Sequence, residues 1–211
     1  MKNIYLFGTN ILTQMLIHSI KNTSTYNLLG ATVNKKHYKE PEFCGIPVIP
    51  FEDLALDEGI MELNLVNCVG FSEHMNIRAS VDSFLRSRQK VRLLSYIHPN
   101  ASINDADFGE SNIIMNNVII EPNSEIGIGN VFYGGSYICH NAKIGNYNWF
   151  SAGCVLAGYV SVGNKNFIGV NSCIRNQIDI GSNNTVGMGA VVVKNVKSGA
   201  IVFGNPAVEK D

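Results

Sequence analysis

Stepping six residues at a time from Phe108 lands on Ile114, Ile120, Ile126, Phe132, Ile138, Ile144, Phe150, Leu156, Val162, Ile168, Ile174, Ile180, Val186 and Val192. Each position is aliphatic or Phe. A period of six matches neither the 3.6 of an α-helix nor the 2 of an isolated strand, and a sustained fixed period marks a repeat architecture. Four residues after these positions stand mostly small or medium residues: Val118, Ser124, Ser136, Ala142, Cys154, Val160, Ser172 and Ala190. Each lies two residues before the next large one, so both point to the same side of a strand. A second period overlies the first. Gly-x-x-Asn recurs at Gly109/Asn112, Gly127/Asn130, Gly145/Asn148, Gly163/Asn166 and Gly181/Asn184, 18 residues apart. Three hexads thus make one turn, and the pattern predicts a triangular prism of stacked coils with three short strands per coil. Five coils at about 4.8 Å span about 24 Å. Gly and Asn tolerate positive φ, so these residues are expected to supply it at the corner.

Residues 1–96 read differently. Ile4–Phe7, Leu28–Val33, Leu63–Phe71 and Val91–Ile97 are strand-like, and the segment before Gly8 reads as a first strand rather than a signal peptide. Asn10–Ile20 carries Ile11, Leu12, Met15, Leu16 and Ile20 at helical spacing, and Ile77, Val81, Phe84 and Leu85 give a second helical face. This order predicts a small, mostly parallel α/β domain over 1–96, followed by the repeat domain over 97–211.

Composition narrows the function classes. The net charge of −1 disfavours a general nucleic-acid or membrane-surface binder, and no run is long and apolar enough for a membrane span. Cys44, Cys68, Cys139, Cys154 and Cys173 show no metal or disulfide spacing. That pattern fits a cytoplasmic protein whose cysteines are mostly small core residues, and no metal is expected.

The hexads, with Ile97-His98-Pro99, Cys44-Gly45-Ile46-Pro47-Val48, Asn171-Ser172 and Gly204-Asn205-Pro206-Ala207, resemble the hexapeptide-repeat transferases. Among these the chain is similar to the sialic acid O-acetyltransferase (NeuD) and amino-sugar N-acetyltransferase (PglD-like) group. The resemblance implies a Rossmann-like α/β domain before a left-handed parallel β-helix, acetyl-CoA as co-substrate, and a homotrimer. It further implies N-acetylation of a nucleotide-linked amino sugar, such as a 4-amino-4,6-dideoxy sugar, for lipopolysaccharide or capsule synthesis.

Acyl transfer requires a base for the acceptor, a donor for the oxyanion and a means of holding the reactants together. His140 is the one histidine of the repeats proper. It lies two residues past Ile138, at an outward corner, in the column Pro122, His140, Gly158, Asn176. The small residue at 158 is expected to leave room for a ligand. The resemblance gives His140 the role of general base, against the alternative of a solvated corner residue. Many relatives have Glu at the next position. Here it is Asn141, which fixes a tautomer without supporting imidazolium as a carboxylate does, unless Glu121 or Glu125 substitutes. Trp149 stands where relatives often have a second histidine, and reads as an apolar wall beside the cofactor or as a packed surface residue. The resemblance gives Val170 and Met188 main-chain contacts to acetyl-CoA and puts Gly158 near its thioester, and Lys194, Lys197 and Lys210 are candidates for its phosphates against the commoner reading of solvated lysines. In the first domain, Gly8, Thr9, Asn10 and Asn34 are the candidates for the sugar nucleotide, although the histidine and acidic residue of the family's loop are replaced. His18 and His74 read as surface residues, and Cys139 as a nucleophile is the minor alternative. A sugar O-acetyltransferase is the close rival function, followed by a non-catalytic trimeric scaffold and a metalloenzyme needing more histidines.

Overall fold

The computed structural model describes residues 1–59, 61–71 and 75–210. Two units divide the chain: Met1–Gly70 with Ile77–Leu94, and Phe71–Asn76 with Ser95–Asp211.

The first unit runs β1 (Asn3–Phe7), α1 (Ile11–Thr23), β2 (Asn27–Val33), β3 (Glu42–Phe43), β4 (Ile46–Pro50), α2 (Phe51–Leu56), β5 (Leu63–Asn67), α3 (Asn76–Arg86) and β6 (Val91–Leu93). The sheet order is β3-β4-β2-β1-β5-β6. All pairs are parallel except β3–β4, which gives the expected α/β architecture. The unforeseen β3–β4 hairpin turns on Cys44 and Gly45, at φ 50° and 74°. Positive φ at both loop residues is what a two-residue hairpin requires. Helix α1 starts where Asn10 Oδ1 accepts the N–H groups of Leu12 and Thr13, at 2.9 and 3.3 Å. Its buried face is Leu12, Thr13, Leu16, Ile17 and Ile20, whereas Ile11, expected on that face, is exposed. Helix α3 departs further from its apolar pattern. Ile77 is exposed and Arg78 and Asp82 are fully buried. Arg78 Nη1 donates to the carbonyls of Asn67 (2.6 Å) and Val69 (3.1 Å), and Asn67 Nδ2 donates to Asp82 Oδ1 (2.7 Å). Partners on the strand end offset the desolvation that would otherwise exclude these groups from a core.

The second unit is the triangular coil. The first face stacks two-residue strands from Tyr96–Ile97 through Ile113–Ile114, Val131–Phe132, Trp149–Phe150 and Phe167–Ile168 to Thr185–Val186, then Ile201–Phe203. The second face runs from Ser102–Ile103 through Tyr137–Ile138 to Val191–Val192, and the third from Asp107–Phe108 through Lys143–Ile144 to Asp179–Ile180. The strand expected over Val91–Ile97 therefore splits: Val91–Leu93 joins the α/β sheet, while Tyr96 pairs with Ile113 of the coil. Strand β5 likewise stops at Asn67, short of the expected Phe71.

The six-residue period is the core. Every member after Phe108 is buried at 4% exposure or less. Each such side chain contributes about 1.5–3 kcal/mol of transfer free energy. Phe132 and Phe150 stack with ring centroids 4.6 Å apart. The small positions four residues on are equally buried. Cysteines divide against expectation, with Cys68 and Cys154 buried, Cys44 and Cys173 exposed, and Cys139 between them.

The corner assignment needs correction. Positive φ falls one residue before the repeated Asn, and at corners of all three kinds: Ser111, Asn117, Asn123, Gly129, Gly135, Asn141, Tyr147, Gly153 and Tyr159 follow one another every six residues. The repeated Asn residues are instead fully buried and form a ladder. Asn130 N–H donates to Asn112 Oδ1 at 2.8 Å, Asn148 N–H to Asn130 Oδ1 at 2.8 Å, and Asn166 N–H to Asn148 Oδ1 at 2.9 Å. The Nδ2 groups of Asn112, Asn130, Asn148 and Asn166 donate to glycine carbonyls of the next coil, for example Asn148 to Gly163 at 2.8 Å. The glycines serve close approach. A Cβ on Gly127 would lie 2.6 Å from the Gly145 carbonyl oxygen.

Candidate active site at a corner of the coil

The corner joining the second and third faces carries His140. Ile138 and Ala142 point inward and are fully buried, which turns the intervening His140 outward and leaves it exposed. The main chain is held from both sides. Asn141 N–H donates to the Pro122 carbonyl of the preceding coil, and Tyr159 N–H of the following coil donates to the His140 carbonyl, both at 3.1 Å. The His140 N–H donates to Glu121 Oε2 at 2.9 Å. Glu121 Oε1 accepts the Tyr137 hydroxyl at 2.5 Å.

The imidazole is oriented by three contacts. Nδ1 lies 3.0 Å from Asn141 Oδ1, so a hydrogen on Nδ1 donates to the amide oxygen and Nε2 keeps its lone pair. The Tyr159 ring stands edge-on at 5.2 Å and 88°. The ring also lies over Gly158, where a Cβ would fall 2.7 Å from Cε1 and 2.8 Å from Nε2. The small residue at 158 therefore accommodates the histidine ring itself, which corrects the expectation that it leaves space for a ligand. Asn141 has φ 59°, so one residue meets two demands, a left-handed backbone and a hydrogen-bond acceptor for the ring.

The electrostatics follow from these contacts. The Tyr137 hydroxyl first, and the His140 N–H second, hold the Glu121 carboxyl below its ordinary value. The Tyr137 phenol is raised in turn, chiefly by its bond to Glu121. Burial, then the charge of Glu121, pushes the Cys139 thiol up. A thiol kept protonated is a weak nucleophile, which disfavours Cys139 in that role.

The remaining coil candidates lie elsewhere on the prism. Val170 and Met188 are exposed on the corner between the first and second faces. Among the described residues, the amide N–H groups of Gly158, Val170 and Met188 have no main-chain partner. Trp149 belongs to the first face, opposite the His140 corner, and is buried. Its neighbours are Tyr133, with ring centroids 5.0 Å apart, and Phe71, at 5.9 Å. The ring is therefore packed against aromatic neighbours of its own chain. A groove of 680 Å³ runs along the third face, lined by residues including Glu125, Gly127, Lys143, Gly145 and Ser161, and neither His140 nor Gly158 lines it. Lys194 and Lys197 line a depression of 300 Å³ near the end of the coil.

In the first unit, Gly8 has φ 125° and its carbonyl accepts the Thr13 hydroxyl at 3.0 Å. Asn10 is committed to the helix cap, and its Nδ2 donates to the Cys68 carbonyl at 2.9 Å. The expected phosphate cradle is thus closed by its own cap, because Asn10 takes the N–H groups of Leu12 and Thr13. Asn34 Oδ1 is buried without a hydrogen-bond partner among the described residues. Thr9 lines a pocket of 200 Å³ at the carboxyl ends of β1 and β2, with His37, Lys39, Glu42 and Phe43. In α/β sheets ligands bind at that end of the strands. The polar run Lys35-Lys36-His37-Tyr38-Lys39-Glu40 directly after β2 is the sequence signal that marks these residues. Tyr137 and Tyr159 were missed as well, although Tyr137 stands three residues before His140 and Tyr159 stands 18 residues after Asn141. His18 is exposed, and His74 lies outside the described residues. Among the described residues there is no cluster of metal-ligating side chains, and no helix is long and apolar enough to cross a membrane.

No protein-family model and no curated protein sequence matches the chain. Solved structures do. The chain is similar along its whole length to PerB from Caulobacter crescentus in complex with CoA and GDP-perosamine, at 23% identity and a TM-score of 0.88, covering 98% of that protein. It is similar to the acetyltransferase domain of PglB from Neisseria gonorrhoeae, at 22% identity and a TM-score of 0.87, and to WeeI from Acinetobacter baumannii with the same values, covering 100% of each. The fold is therefore the expected one, an α/β domain joined to a left-handed β-helix of hexapeptide repeats.

Proposed function

We propose that the protein is an acetyl-CoA-dependent N-acetyltransferase acting on a nucleotide-linked amino sugar, with His140 as general base. The observation that carries this reading is the oriented imidazole, whose Nδ1 is engaged by Asn141 at 3.0 Å and whose Nε2 is left with a lone pair at an exposed corner. The whole-chain likeness to PerB, solved with CoA and GDP-perosamine, and to the PglB domain, solved with acetyl coenzyme A, supports the substrate class. Two PerB variants with a histidine replaced by Asn or Ala were also solved with both ligands, so in that protein the substitutions are compatible with binding.

In this mechanism the acceptor nitrogen attacks the thioester carbonyl while Nε2 of His140 takes its proton. The N–H of Gly158, which has no main-chain partner among the described residues, is the candidate donor to the oxyanion. Collapse breaks the C–S bond, and the imidazolium returns the proton to the departing thiolate. Asn141 holds the tautomer throughout without adding negative charge. Met188 and Val170 offer main-chain groups on one corner of the second face and Gly158 on the other, the two borders that this reading gives to the pantetheine arm, and residues 1–96 supply the acceptor-binding domain. Thr9, with His37 and Lys39 beside it, is the leading contact there, with Gly8, Asn10 and Asn34 shaping the loop ends.

The same reading gives a homotrimer acting in the cytoplasm on a precursor of lipopolysaccharide or capsule. An exposed base at a corner needs a second surface to exclude water, and a neighbouring copy supplies one. The test is thiol release from acetyl-CoA with UDP-, dTDP- and GDP-linked amino sugars and free sialic acid. Turnover with one sugar nucleotide and amide formation at its amine is the expected result. Turnover confined to a sugar hydroxyl replaces the reading with O-acetylation, and no turnover on the panel, with a stable monomer by light scattering, removes it.

A further inference from the structure

Glu121 is singular in its column. The positions at 18-residue spacing are Glu121, Cys139, Ala157 and Arg175, and the outward column of the second face reads Ile119, Tyr137, Val155, Cys173 and Val191. One carboxylate and one phenol in these two columns meet at the corner that carries His140. Glu121 reaches from the coil below to accept the His140 N–H at 2.9 Å while its other oxygen accepts the Tyr137 hydroxyl. The repeat does not need this contact to build a corner, since the next corner turns with Gly158, whose N–H has no main-chain partner among the described residues.

Resting on the reading of His140 as base, we propose that Glu121, clamped by Tyr137, is a positioning residue for His140. It fixes the main chain that carries the imidazole by accepting the His140 N–H. Its carboxylate is ionised across the neutral range, because both of its partners donate to the charged form. The groups facing His140 are Glu121 from the preceding coil, Asn141 and Cys139 on its own corner, Tyr137 on its own strand and Tyr159 from the following coil. Glu121 is the one carboxylate among them. Glu125 is paired with Lys143 on the third face at 3.4 Å.

Four variants of the full-length protein test this: His140→Ala, Glu121→Gln, Glu121→Ala and Tyr137→Phe. Glutamine keeps an acceptor for the His140 N–H and loses the charge. Glu121→Ala is expected to lower kcat by about ten- to a hundredfold through misplacement of the base, with the acetyl-CoA KM within about twofold. Glutamine should restore most of that kcat, and Tyr137→Phe should fall between the wild type and Glu121→Ala. If Glu121→Ala lowers only the melting temperature and leaves kcat in place, Glu121 is merely structural and the proposal is overturned. If His140→Ala keeps wild-type turnover, the reading of His140 as base fails, and the role given to Glu121 falls with it. Loss of activity in His140→Ala with wild-type kcat in Glu121→Ala overturns the role of Glu121 alone.

Discussion

The imidazole of His140 occupies the space that a side chain at Gly158 would fill, with a Cβ there placed 2.7 Å from Cε1. Gly158 carries no positive φ among the glycines of the coil, so its value lies in size. Gly158→Ala is expected to leave the melting temperature within about 2 °C, because the displaced atoms end a side chain that can rotate away. It should lower kcat by about ten- to a hundredfold, since the base is moved from its line of attack. Thermal melts and steady-state kinetics check this, and unchanged kcat would show that the ring need not lie over Gly158 in catalysis.

His140→Ala should lower turnover by about 10²–10⁴-fold, the contribution of a positioned general base. The acetyl-CoA KM should stay within a few-fold, because the proposed cofactor contacts are main chain. Retention of most activity would make the histidine a solvated corner residue.

The φ of 59° at Asn141 shapes how that position can be changed. Asn141→Asp adds a carboxylate beside Nδ1 in a residue that tolerates the left-handed region. The pH–rate plateau should then be reached at higher pH, since the charge favours imidazolium. Asn141→Glu should show the same shift only with a stability loss of about 1–2 kcal/mol for the strained backbone. Equal stability of the two variants in chemical denaturation would contradict this account.

Asn148→Ala should destabilise the coil. It removes the bond from Nδ2 to the Gly163 carbonyl and leaves the buried N–H of Asn166 without its 2.9 Å acceptor. The expected cost is about 3 kcal/mol, a fall of about 6–12 °C in melting temperature, with the acceptor KM unchanged. Asn184→Ala is the internal control. At that end of the ladder Nδ2 has no partner among the described residues, and Oδ1 accepts only the Ala200 N–H, at 2.8 Å. Its loss should be smaller, and calorimetry of the pair decides.

His98 gives the protein an acid sensitivity separate from the active site. It is buried, its Nδ1 accepts the Asn100 N–H at 3.0 Å, and burial lowers its pKa below 6.5. The folded state therefore holds the ring neutral where the unfolded chain takes up a proton. Its contribution to stability is complete above pH 6.5 and declines as pH falls below that value. Glu121 acts in the same direction in a lower window, below its ordinary value of 4.5. The melting temperature should drop between pH 7 and 5, more steeply in the wild type than in His98→Gln. Parallel slopes would exclude His98 as the cause.

The coil was legible in the sequence because its physics is local. A strand of two residues and a corner of four repeat the same inward positions, so Ile138, Ile144 and Phe150 declare the core without reference to distant residues. The α/β order was legible for the same reason, and the outward placement of His140 follows from its distance to Ile138. Polar burial was not legible. The apolar face of Ile77, Val81, Phe84 and Leu85 leaves out Arg78 and Asp82, whose burial depends on the carbonyls of Asn67 and Val69 and on the Asn67 amide, and the repeated Asn residues read as turn formers until coil stacking brings their amides to glycine carbonyls in the next turn. Asn10 read as a phosphate contact because the sequence places it at a helix start but not which acceptor that start already has. The site itself was half legible. Sequence spacing put Gly158 above His140 and Glu121 in the coil below, but rotamers decided that the ring lies on Gly158 and that Glu121 turns toward the His140 N–H. Stacking sets which columns are neighbours, and it is a property of the periodic chain alone. Hydrogen bonds between columns depend on side-chain geometry across coils, and only the tertiary structure determines that.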